Sequence, residues 1–277
     1  MPTLAALVDR VAATLRAAGI ENARAEARLI VTAATGQDRT RQLAEPDRPA
    51  EAEPAMALAQ RRAAREPMAY LLGRREFFGL EFAVGPGVLV PRPETETLIE
   101  AALEAFPDRT ASLRLLDLGT GTGCLLLTLL DHYPNATGIG VDRSATALRW
   151  AAQNRRSLGL EQRALLVQGD WLDAIGGPFD LTLGNPPYIG AAEPRDPETR
   201  FEPEASLLAG PDGLDAYRAI AASAARVLRP GGLIALEIGA GQAAAVMAIL
   251  DNAGFVARHC RPDLAGRDRA VIGRRRD

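Results

Sequence analysis

The segment Arg114-Leu115-Leu116-Asp117-Leu118-Gly119-Thr120-Gly121-Thr122-Gly123 decides the fold of this chain. Its first five residues are mainly apolar, which is typical of a buried strand. The glycines that follow allow a tight turn and a close approach of the backbone to a ligand. We expect a helix directly after this loop and a second strand at residues 138–141. The order of strand, glycine loop, helix and strand predicts a β-α-β unit.

Strand and helix patterns continue to alternate after this unit. Ser144 is a suitable N-cap for the next helix, and Arg229-Pro230-Gly231-Gly232 is a strong stop signal for a later one. Repeated β-α-β units predict a mostly parallel, doubly wound sheet with right-handed crossovers, so the predicted fold class is α/β. We expect further strands at residues 165–168, 181–183, 233–238, 255–260 and 270–273, and helices at residues 145–158, 214–228 and 242–253.

The N-terminal region has a different texture, rich in Ala, Leu, Arg and Glu. Gly19, Gly36 and Pro46 interrupt it. We therefore predict a domain of four or five helices at residues 1–72, whose Arg and Glu runs form solvated helix faces. Apolar residues recur with the spacing of an amphipathic helix, first at Leu4, Leu7, Val8, Val11 and Leu15.

A short segment between these two regions has a third residue pattern. The sequence Glu76-Phe77-Phe78-Gly79-Leu80-Glu81-Phe82 alternates around Gly79, which predicts a β-hairpin. The prolines that follow it indicate an extended stretch. We assign residues 73–92 to a β-hairpin linker and residues 93–277 to the α/β domain.

The composition excludes some classes of function. Of the 277 residues, 47% are hydrophobic and 24% are charged, which is ordinary for a globular protein with one large or two modest domains. The net charge of -3 produces no strong field that would attract nucleic acid or an anionic membrane. The chain contains arginine but no lysine, which excludes a catalytic lysine.

The cysteines and the N-terminal residues bear on metal binding and location. Cys124 and Cys260 have no partner at the spacing of a metal site or a CxxC motif, so we predict neither a disulfide scaffold nor a metal site. The N-terminal residues lack the apolar core of a signal segment. No run reaches the ~18 apolar residues that a membrane span requires. We therefore expect a cytoplasmic protein that does not bind membranes.

The glycine loop and a later acid predict a nucleoside-containing cofactor. Asp142 ends the second strand, where a carboxylate can bind both hydroxyls of a ribose. The glycines alternate as G-x-G-x-G, whereas a pyrophosphate favours G-x-G-x-x-G. Asp117 suits the ammonium group of a methionine moiety and repels a phosphate. Together with the catalytic loop described below, the pattern favours S-adenosylmethionine over NAD or FAD.

Other residues are predicted to contact the same cofactor. After the third strand, Asp170 can accept a hydrogen bond from an adenine amino group, and Trp171 can pack on the ring. Ordinary core packing is the alternative role for Trp171. The predicted cofactor site comprises Asp117, Gly119, Thr120, Gly121, Thr122, Gly123, Asp142, Asp170, Trp171 and Asn185.

The sequence Asn185-Pro186-Pro187-Tyr188 predicts the reaction. It follows an apolar strand, so it lies at the same sheet edge as the glycine loop. The Asn185 oxygen and the Pro186 carbonyl can accept the two N–H bonds of a planar NH2 group, and Tyr188 can stack on it and face a sulfonium. Catalysis then depends on alignment, because the nitrogen becomes acidic only as it is alkylated. We predict that Asn185, Pro186 and Tyr188 are catalytic, acting on either a base or an amide.

Several stretches together resemble one enzyme family. They include Pro67-Met68-Ala69-Tyr70-Leu71-Leu72-Gly73, Pro91-Arg92-Pro93-Glu94-Thr95-Glu96, Phe201-Glu202-Pro203 and Gly210-Pro211-Asp212-Gly213-Leu214, besides the two loops above. In this order they are similar to the HemK-type peptide chain release factor N5-glutamine methyltransferases. The resemblance covers the chain from about residue 65 onward. The chain departs from the family at Gly184, where Ser is frequent, and at Ala145, where Pro is frequent.

This resemblance implies a fold, a substrate and additional site residues. The fold would be a Rossmann-like class I methyltransferase sheet, and the substrate the glutamine of the Gly-Gly-Gln motif in class 1 release factors. Asn185, Pro186, Pro187 and Tyr188 would hold that glutamine. Arg92 and Glu94 would shape the mouth of the substrate site, and the N-terminal helices would grip the release factor.

Three other functions remain open from the sequence. A glutamine methyltransferase acting on a ribosomal protein would use the same loop. An adenine-N6 DNA methyltransferase would need a basic surface, which a net charge of -3 does not favour. An inactive S-adenosylmethionine-binding module is disfavoured by the intact loop. We therefore expect a monomer that binds a release factor and makes no direct contact with nucleic acid.

Overall fold

A computed structural model describes residues 1–173 and 175–277 and contains two compact units. The helical unit comprises Met1–Arg74 and Asp196–Phe201, and the sheet unit comprises Arg75–Arg195 and Glu202–Asp277. The predicted functional division at residues 72 and 92 stays a prediction, since compactness alone does not assign a role to a segment. Within the described part of the chain, every helix is too short or too polar to span a membrane.

The helical unit confirms the amphipathic pattern of the first 72 residues. Thr3 caps the first helix by accepting a hydrogen bond from the Ala6 N–H over 3.2 Å. Gly36 ends the second helix in the left-handed conformation, with φ of 70°. The apolar stripe of the first helix is fully buried. The helices of this unit are α1 (Leu4–Ala17), α2 (Ala23–Thr35), α3 (Arg39–Ala44), α4 (Glu53–Ala63) and α5 (Met68–Leu72).

One arginine of the helical unit departs from the prediction that charged runs are solvated. Arg62 is only 5% exposed. Its Nε donates to Glu26 over 2.6 Å, and its Nη2 lies 2.6 Å from a carboxylate oxygen of Glu198. A buried guanidinium needs such partners because an unpaired charge is costly to desolvate. Arg62 is therefore part of the interior of this unit.

The hairpin predicted around Gly79 is confirmed. Strands β1 (Arg74–Phe77) and β2 (Leu80–Ala83) form a two-stranded sheet, and Phe78 and Gly79 at its turn have positive φ angles. The rings of Phe77 and Phe82 are buried and meet edge to face, with centroids 6.2 Å apart. Helix α6 (Glu96–Ala105) follows the short 3-10 turn Pro93–Thr95.

A seven-stranded sheet forms the centre of the sheet unit. Its strand order is β5-β4-β3-β6-β7-β9-β8. The first five strands in this order are parallel to one another, and β9 is antiparallel to both of its neighbours, β7 and β8. The predicted α/β fold is thus confirmed. The strands are β3 (Arg114–Leu118), β4 (Thr137–Asp142), β5 (Ala164–Gln168), β6 (Phe179–Gly184), β7 (Leu228–Glu237), β8 (Phe255–Pro262) and β9 (Asp268–Arg275), and the helices are α7 (Cys124–His132), α8 (Ala145–Ser157), α9 (Asp215–Val227) and α10 (Ala243–Asn252).

Both faces of the sheet are covered, which explains the nearly continuous apolar sequence of its central strands. On one face, Leu115 packs in a core with side chains of α6 and α7. On the other face, Leu116 and Leu118 pack in a core with side chains of α9 and α10. The chain order reverses between β3 and β6, so ligands are expected beyond the carboxyl ends of these two strands.

Strand β7 begins earlier than the sequence indicated. Helix α9 ends at Val227 as expected, but Leu228 already pairs with Phe179. The pairing register shifts between Phe179 and Leu181, so the stop signal Arg229-Pro230-Gly231-Gly232 lies within β7 as extra residues of that strand. Arg229 within them forms an ion pair with the buried Asp180, whose other oxygen accepts the Arg114 N–H over 2.7 Å. This long-range pair keeps the segment beside the sheet.

Candidate active site

A cavity of about 390 Å³ lies at the carboxyl ends of the parallel strands. This volume is typical of sites for small organic ligands. The loops that follow β3, β4, β5 and β6 all contribute to its lining. Seven of the residues predicted from the sequence line the cavity: Gly119, Gly121, Asp142, Asp170, Trp171, Asn185 and Pro187.

The glycine loop adopts a conformation that requires its glycines. Gly119, Gly121 and Gly123 have φ angles of 68°, 58° and 83°, which side chains rarely tolerate. The Thr120 N–H donates to the Val141 carbonyl over 2.9 Å and so fastens the loop to β4. Between these fixed points, the backbone of Gly119 and Gly121 borders the cavity.

A buried hydrogen bond between Asp117 and Thr120 stabilises the glycine loop. The Thr120 hydroxyl donates to Asp117 Oδ2 over 2.6 Å. Asp117 is 1% exposed, and its Oδ1 accepts no hydrogen bond from the residues that the structure describes. Burial raises the pKa of Asp117 to about 7, against the opposing effect of the Thr120 hydroxyl. The unpaired oxygen fits an ammonium donor, although Asp117 does not line the cavity and its predicted ligand contact stays a prediction.

Asp142 is oriented by two backbone N–H groups. Its Oδ2 accepts from Gly121 over 3.0 Å and its Oδ1 accepts from Ser144 over 2.8 Å. Burial raises the pKa of Asp142, while these two N–H groups act in the opposite direction. Each carboxylate oxygen keeps a further acceptor position. Because Asp142 lines the cavity, this arrangement fits a ligand that presents two neighbouring hydroxyls.

Trp171 lies next to the glycine loop. A Cβ atom placed on Gly119 would be 3.6 Å from the Trp171 ring, so the ring packs over this glycine. The Trp171 backbone has a φ angle of 44°, which is unusual for a bulky residue. Asp170 beside it is exposed and lines the same cavity. The pair fits a planar ring with an exocyclic amino group.

Asn154 supports the glycine loop and was missed by the sequence analysis. It is 1% exposed, and its Nδ2 donates to the carbonyls of Thr122 over 2.9 Å and Ala83 over 3.0 Å. Its Oδ1 accepts the Ala83 N–H over 2.7 Å. Asn154 thereby ties the loop to β2, and Thr122 acts through its backbone. A polar residue on the buried face of α8 was the available signal.

The Asn185 amide is held by a side chain from another part of the chain. Its Nδ2 donates to the Thr95 hydroxyl oxygen over 3.0 Å. The Thr95 hydroxyl in turn donates to Glu237 Oε2 over 2.5 Å. Asn185 Oδ1 and the Pro186 carbonyl accept no hydrogen bond from the described residues. Both oxygens are therefore available to the N–H groups of a bound molecule.

Tyr188 is held by hydrogen bonds to its backbone, while its ring packs against the core next to Gly239. Gln242 Nε2 donates to the Tyr188 carbonyl over 2.9 Å and to the Gly213 carbonyl over 3.3 Å. Gln242 Oε1 accepts the Gly239 N–H over 2.9 Å, which sets the orientation of this amide. Burial raises the pKa of the Tyr188 phenol to about 12, so the ring is neutral and suited to stacking. Tyr188 does not line the cavity, and its catalytic role stays a prediction.

Arg92 and Glu94 lie beside this loop without lining the cavity. The Arg92 guanidinium forms an ion pair with Glu202, which is 5% exposed and also accepts the Val90 N–H over 2.9 Å. Glu94 is exposed. Their role at a substrate mouth stays a prediction. Glu202 belongs to the Phe201-Glu202-Pro203 stretch, to which the sequence analysis assigned no function. Through Val90 and Arg92 it holds the segment that contains Arg92 and Glu94.

The cysteine nearest to the cavity is a structural residue. Cys124 begins α7 directly after the glycine loop, and burial raises the pKa of its thiol to about 12, so it is not a nucleophile at neutral pH. Among residues 1–173 and 175–277, no group of three or more His, Cys, Asp or Glu side chains is placed to hold a metal ion.

Comparison with protein families places two models on the chain. The PrmC N-terminal domain matches residues 6–73, and a methyltransferase domain matches residues 109–255. The release factor glutamine methyltransferase of Rhodospirillum rubrum is 44% identical over 99% of this chain and 85% of that protein. The enzyme of the same name from Bradyrhizobium diazoefficiens is 45% identical over 96% of this chain and 92% of that protein.

A solved structure shows the same fold at low sequence identity. The T. thermophilus 16S rRNA N2 G1207 methyltransferase, in complex with AdoMet and guanosine, superposes with a TM-score of 0.55. The match covers 73% of this chain and 50% of that one, with 22% sequence identity. At this identity the match supports the fold alone.

Proposed function

This chain belongs to the family of release factor glutamine methyltransferases, and on this premise we propose its reaction. It transfers a methyl group from S-adenosylmethionine to the side-chain amide nitrogen, N5, of the glutamine in the Gly-Gly-Gln motif of class 1 peptide chain release factors. The modification modulates translation termination. The observation that carries the proposal is the Asn185 amide, which is held through its Nδ2 and keeps Oδ1 available.

The cavity residues suit the methyl donor. S-adenosylmethionine, when bound, supplies an electrophilic methyl group attached to a sulfonium. Asp142 would hold the ribose hydroxyls, and Trp171 and Asp170 would contact the adenine. Gly119 and Gly121 leave the backbone open beside the donor, and Asp117 offers its unpaired oxygen to the ammonium group.

The catalytic loop acts by holding a poor nucleophile in place. An amide nitrogen shares its lone pair with the carbonyl group and is therefore a poor nucleophile. The loop compensates by fixing the orientation of the NH2 group before attack. Asn185 Oδ1 and the Pro186 carbonyl accept its two N–H bonds and direct the lone pair toward the methyl group. Tyr188, as a neutral phenol, stacks on the amide plane. Once alkylated, the nitrogen is strongly acidic and loses its proton to solvent water, so no strong base is required.

Other parts of the chain recognise the protein substrate. We assign recognition of the release factor to the helical unit and to Arg92 and Glu94, which lie near Tyr188. The protein acts as a monomer in the cytoplasm, where translation terminates.

Methyl transfer with three substrates tests the proposal. Radiolabelled S-adenosylmethionine should label unmodified release factor, but not the variant whose Gly-Gly-Gln glutamine is alanine. A ribosomal protein mixture and adenine-containing DNA, tested in parallel, should stay unlabelled. Asn185→Ala should abolish transfer while S-adenosylhomocysteine still binds. Labelling that persists without the target glutamine would contradict the substrate assignment.

A further inference from the structure

Three side chains from distant parts of the sheet unit form a chain of hydrogen bonds that ends at the catalytic loop. Asn185 follows β6, Thr95 precedes α6, and Glu237 ends β7. The Asn185 to Thr95 distance is 3.0 Å and the Thr95 to Glu237 distance is 2.5 Å. Thr95 and Glu237 are 2% and 1% exposed, so neither can exchange this partner for bulk water.

The direction of these bonds follows from proton counting. A carboxylate has acceptors only, and a hydroxyl carries a single hydrogen. The Thr95 hydrogen therefore goes to Glu237, and the Thr95 oxygen must accept from its other neighbour. Only the NH2 end of Asn185 can donate to it. The amide is thus fixed with Oδ1 on the side opposite to Thr95.

We propose that Thr95 and Glu237 are positioning residues that fix the Asn185 amide with its oxygen toward the substrate nitrogen. This proposal rests on the proposed function and adds to it a reason for substrate choice. An Asn185 fixed in this orientation offers an acceptor and so selects a substrate group that donates N–H bonds. A rotated amide would offer its own N–H groups and would repel the glutamine NH2.

The charge on Glu237 sets the direction of the whole chain. Protonated Glu237 could donate to Thr95, whose hydrogen could then point to Asn185 Oδ1 and stabilise the rotated amide. Burial raises the pKa of Glu237 to about 7, opposed by the Thr95 hydroxyl. The other titratable groups coupled to Glu237 are Arg92 and Glu94 from the segment before α6, Cys124 from α7, Arg269 from β9, Tyr188 after β6 and Tyr217 from α9. Turnover should therefore rise as the pH increases through about 7.

Substitutions of Thr95 separate positioning from general stability. Thr95→Val keeps the shape but removes the hydroxyl, and we expect kcat to fall about 100-fold with little change in KM. Thr95→Ser should keep most of the activity. Thr97→Val provides a matched control, because Thr97 is a buried threonine two residues further along, in α6, and among the described residues the Asn185 side chain is hydrogen-bonded to Thr95 and not to Thr97. S-adenosylhomocysteine should bind all three variants with wild-type affinity.

Two further variants keep the test decisive. If Thr95→Val unfolds because Glu237 is left unpaired, the double variant Thr95→Val/Glu237→Met removes both polar partners and should fold but stay slow. Glu237→Gln can donate or accept, so it should lower kcat and abolish the rise in rate near pH 7. Thr95→Val turnover within threefold of Thr95→Ser would overturn the proposal.

A measurement without turnover distinguishes this proposal from the proposed function. The nitrogen-15 NMR signals of the Asn185 side-chain amide, assigned by their loss in Asn185→Asp, should shift in Thr95→Val and stay in place in Thr97→Val. Unchanged Asn185 signals in Thr95→Val would overturn the positioning role. A wild-type protein with these signals that leaves release factor unmethylated would overturn the proposed function alone.

Discussion

Gly213 lies against the catalytic loop, and replacing it with alanine should displace Tyr188. A Cβ atom at Gly213 would lie 2.3 Å from the Tyr188 carbonyl oxygen and 2.8 Å from Gln242 Nε2. A carbon and an oxygen in ordinary contact are roughly 3.3 Å apart. The Tyr188 carbonyl must therefore retreat by about 1 Å, which also breaks its hydrogen bond to Gln242.

The magnitude of the effect follows from this displacement. A misplacement of about 1 Å at a site that works by alignment costs about 100-fold in rate. We expect kcat/KM of Gly213→Ala to fall by that factor, which corresponds to roughly 2.7 kcal/mol of transition-state stabilisation. Because Gly213 has a φ of 72°, the alanine also strains the backbone by roughly 1–2 kcal/mol. Folding should survive this smaller cost.

Gly159→Ala separates the two effects. Gly159 has a φ of 68°, so alanine strains the backbone equally, but nothing lies within 4 Å of the added Cβ. Initial rates with release factor as substrate, thermal unfolding and S-adenosylhomocysteine binding should be measured for both variants. Gly213→Ala should lose more stability than Gly159→Ala by about 1 kcal/mol, the cost of the broken hydrogen bond, and only Gly213→Ala should lose activity. Equal kcat/KM values for the two folded variants would refute the link between Gly213 and the loop.

Three further predictions concern buried polar residues. Asn154→Ala removes three hydrogen bonds and should lower the free energy of unfolding by about 3 kcal/mol in denaturant titrations. The control Asn135→Ala removes one exposed hydrogen bond and should cost under ~1 kcal/mol. Equal losses for the two variants would contradict the role of Asn154. Arg62→Ala removes a buried guanidinium from two half-buried carboxylates and should cost about 2–3 kcal/mol by the same measurement, against less than ~1 kcal/mol for the exposed ion pair of Arg24. Equal losses for Arg62 and Arg24 would show that water replaces the Arg62 guanidinium. The pKa of Asp117 is raised from 3.8 to about 7, so the folded state holds its proton longer and wild-type stability should decrease as the pH rises between these values. Asp117→Asn should lack this share of the decrease, and identical slopes would contradict the raised pKa.

The parts of the fold that sequence could predict are those fixed by local patterns. The strand at Arg114–Leu118, the Ser144 cap and the hairpin around Gly79 depend on residues within a few positions of one another. Each is determined by periodicity, a capping side chain or a turn residue. These features were sufficient to place the glycine loop and the catalytic loop at one edge of a sheet.

The features that could not be predicted depend on residues far apart in the chain. Thr95 and Glu237 are separated by 142 residues, and nothing in the sequence near either residue indicates that they form a hydrogen bond. The early start of β7 depends on Arg229 meeting Asp180. The segment Asp196–Phe201 belongs to the helical unit, and its Glu198 pairs with Arg62, which lies 136 positions earlier in the chain. In each case a charged or polar group is paired only once the fold has formed, so its local sequence carries no signal.

The long-range contacts also give a physical reason for the motifs on which the family resemblance rests. An Asn-Pro-Pro-Tyr loop can serve a base or an amide, so its own chemistry does not specify the target. Thr95, from the Pro91-Arg92-Pro93-Glu94-Thr95-Glu96 stretch, holds Asn185. Gly213, from the Gly210-Pro211-Asp212-Gly213-Leu214 stretch, shares Gln242 with Tyr188. Two motifs outside the loop thus fix its two ends, which makes a change in either motif a change in the geometry offered to the target nitrogen.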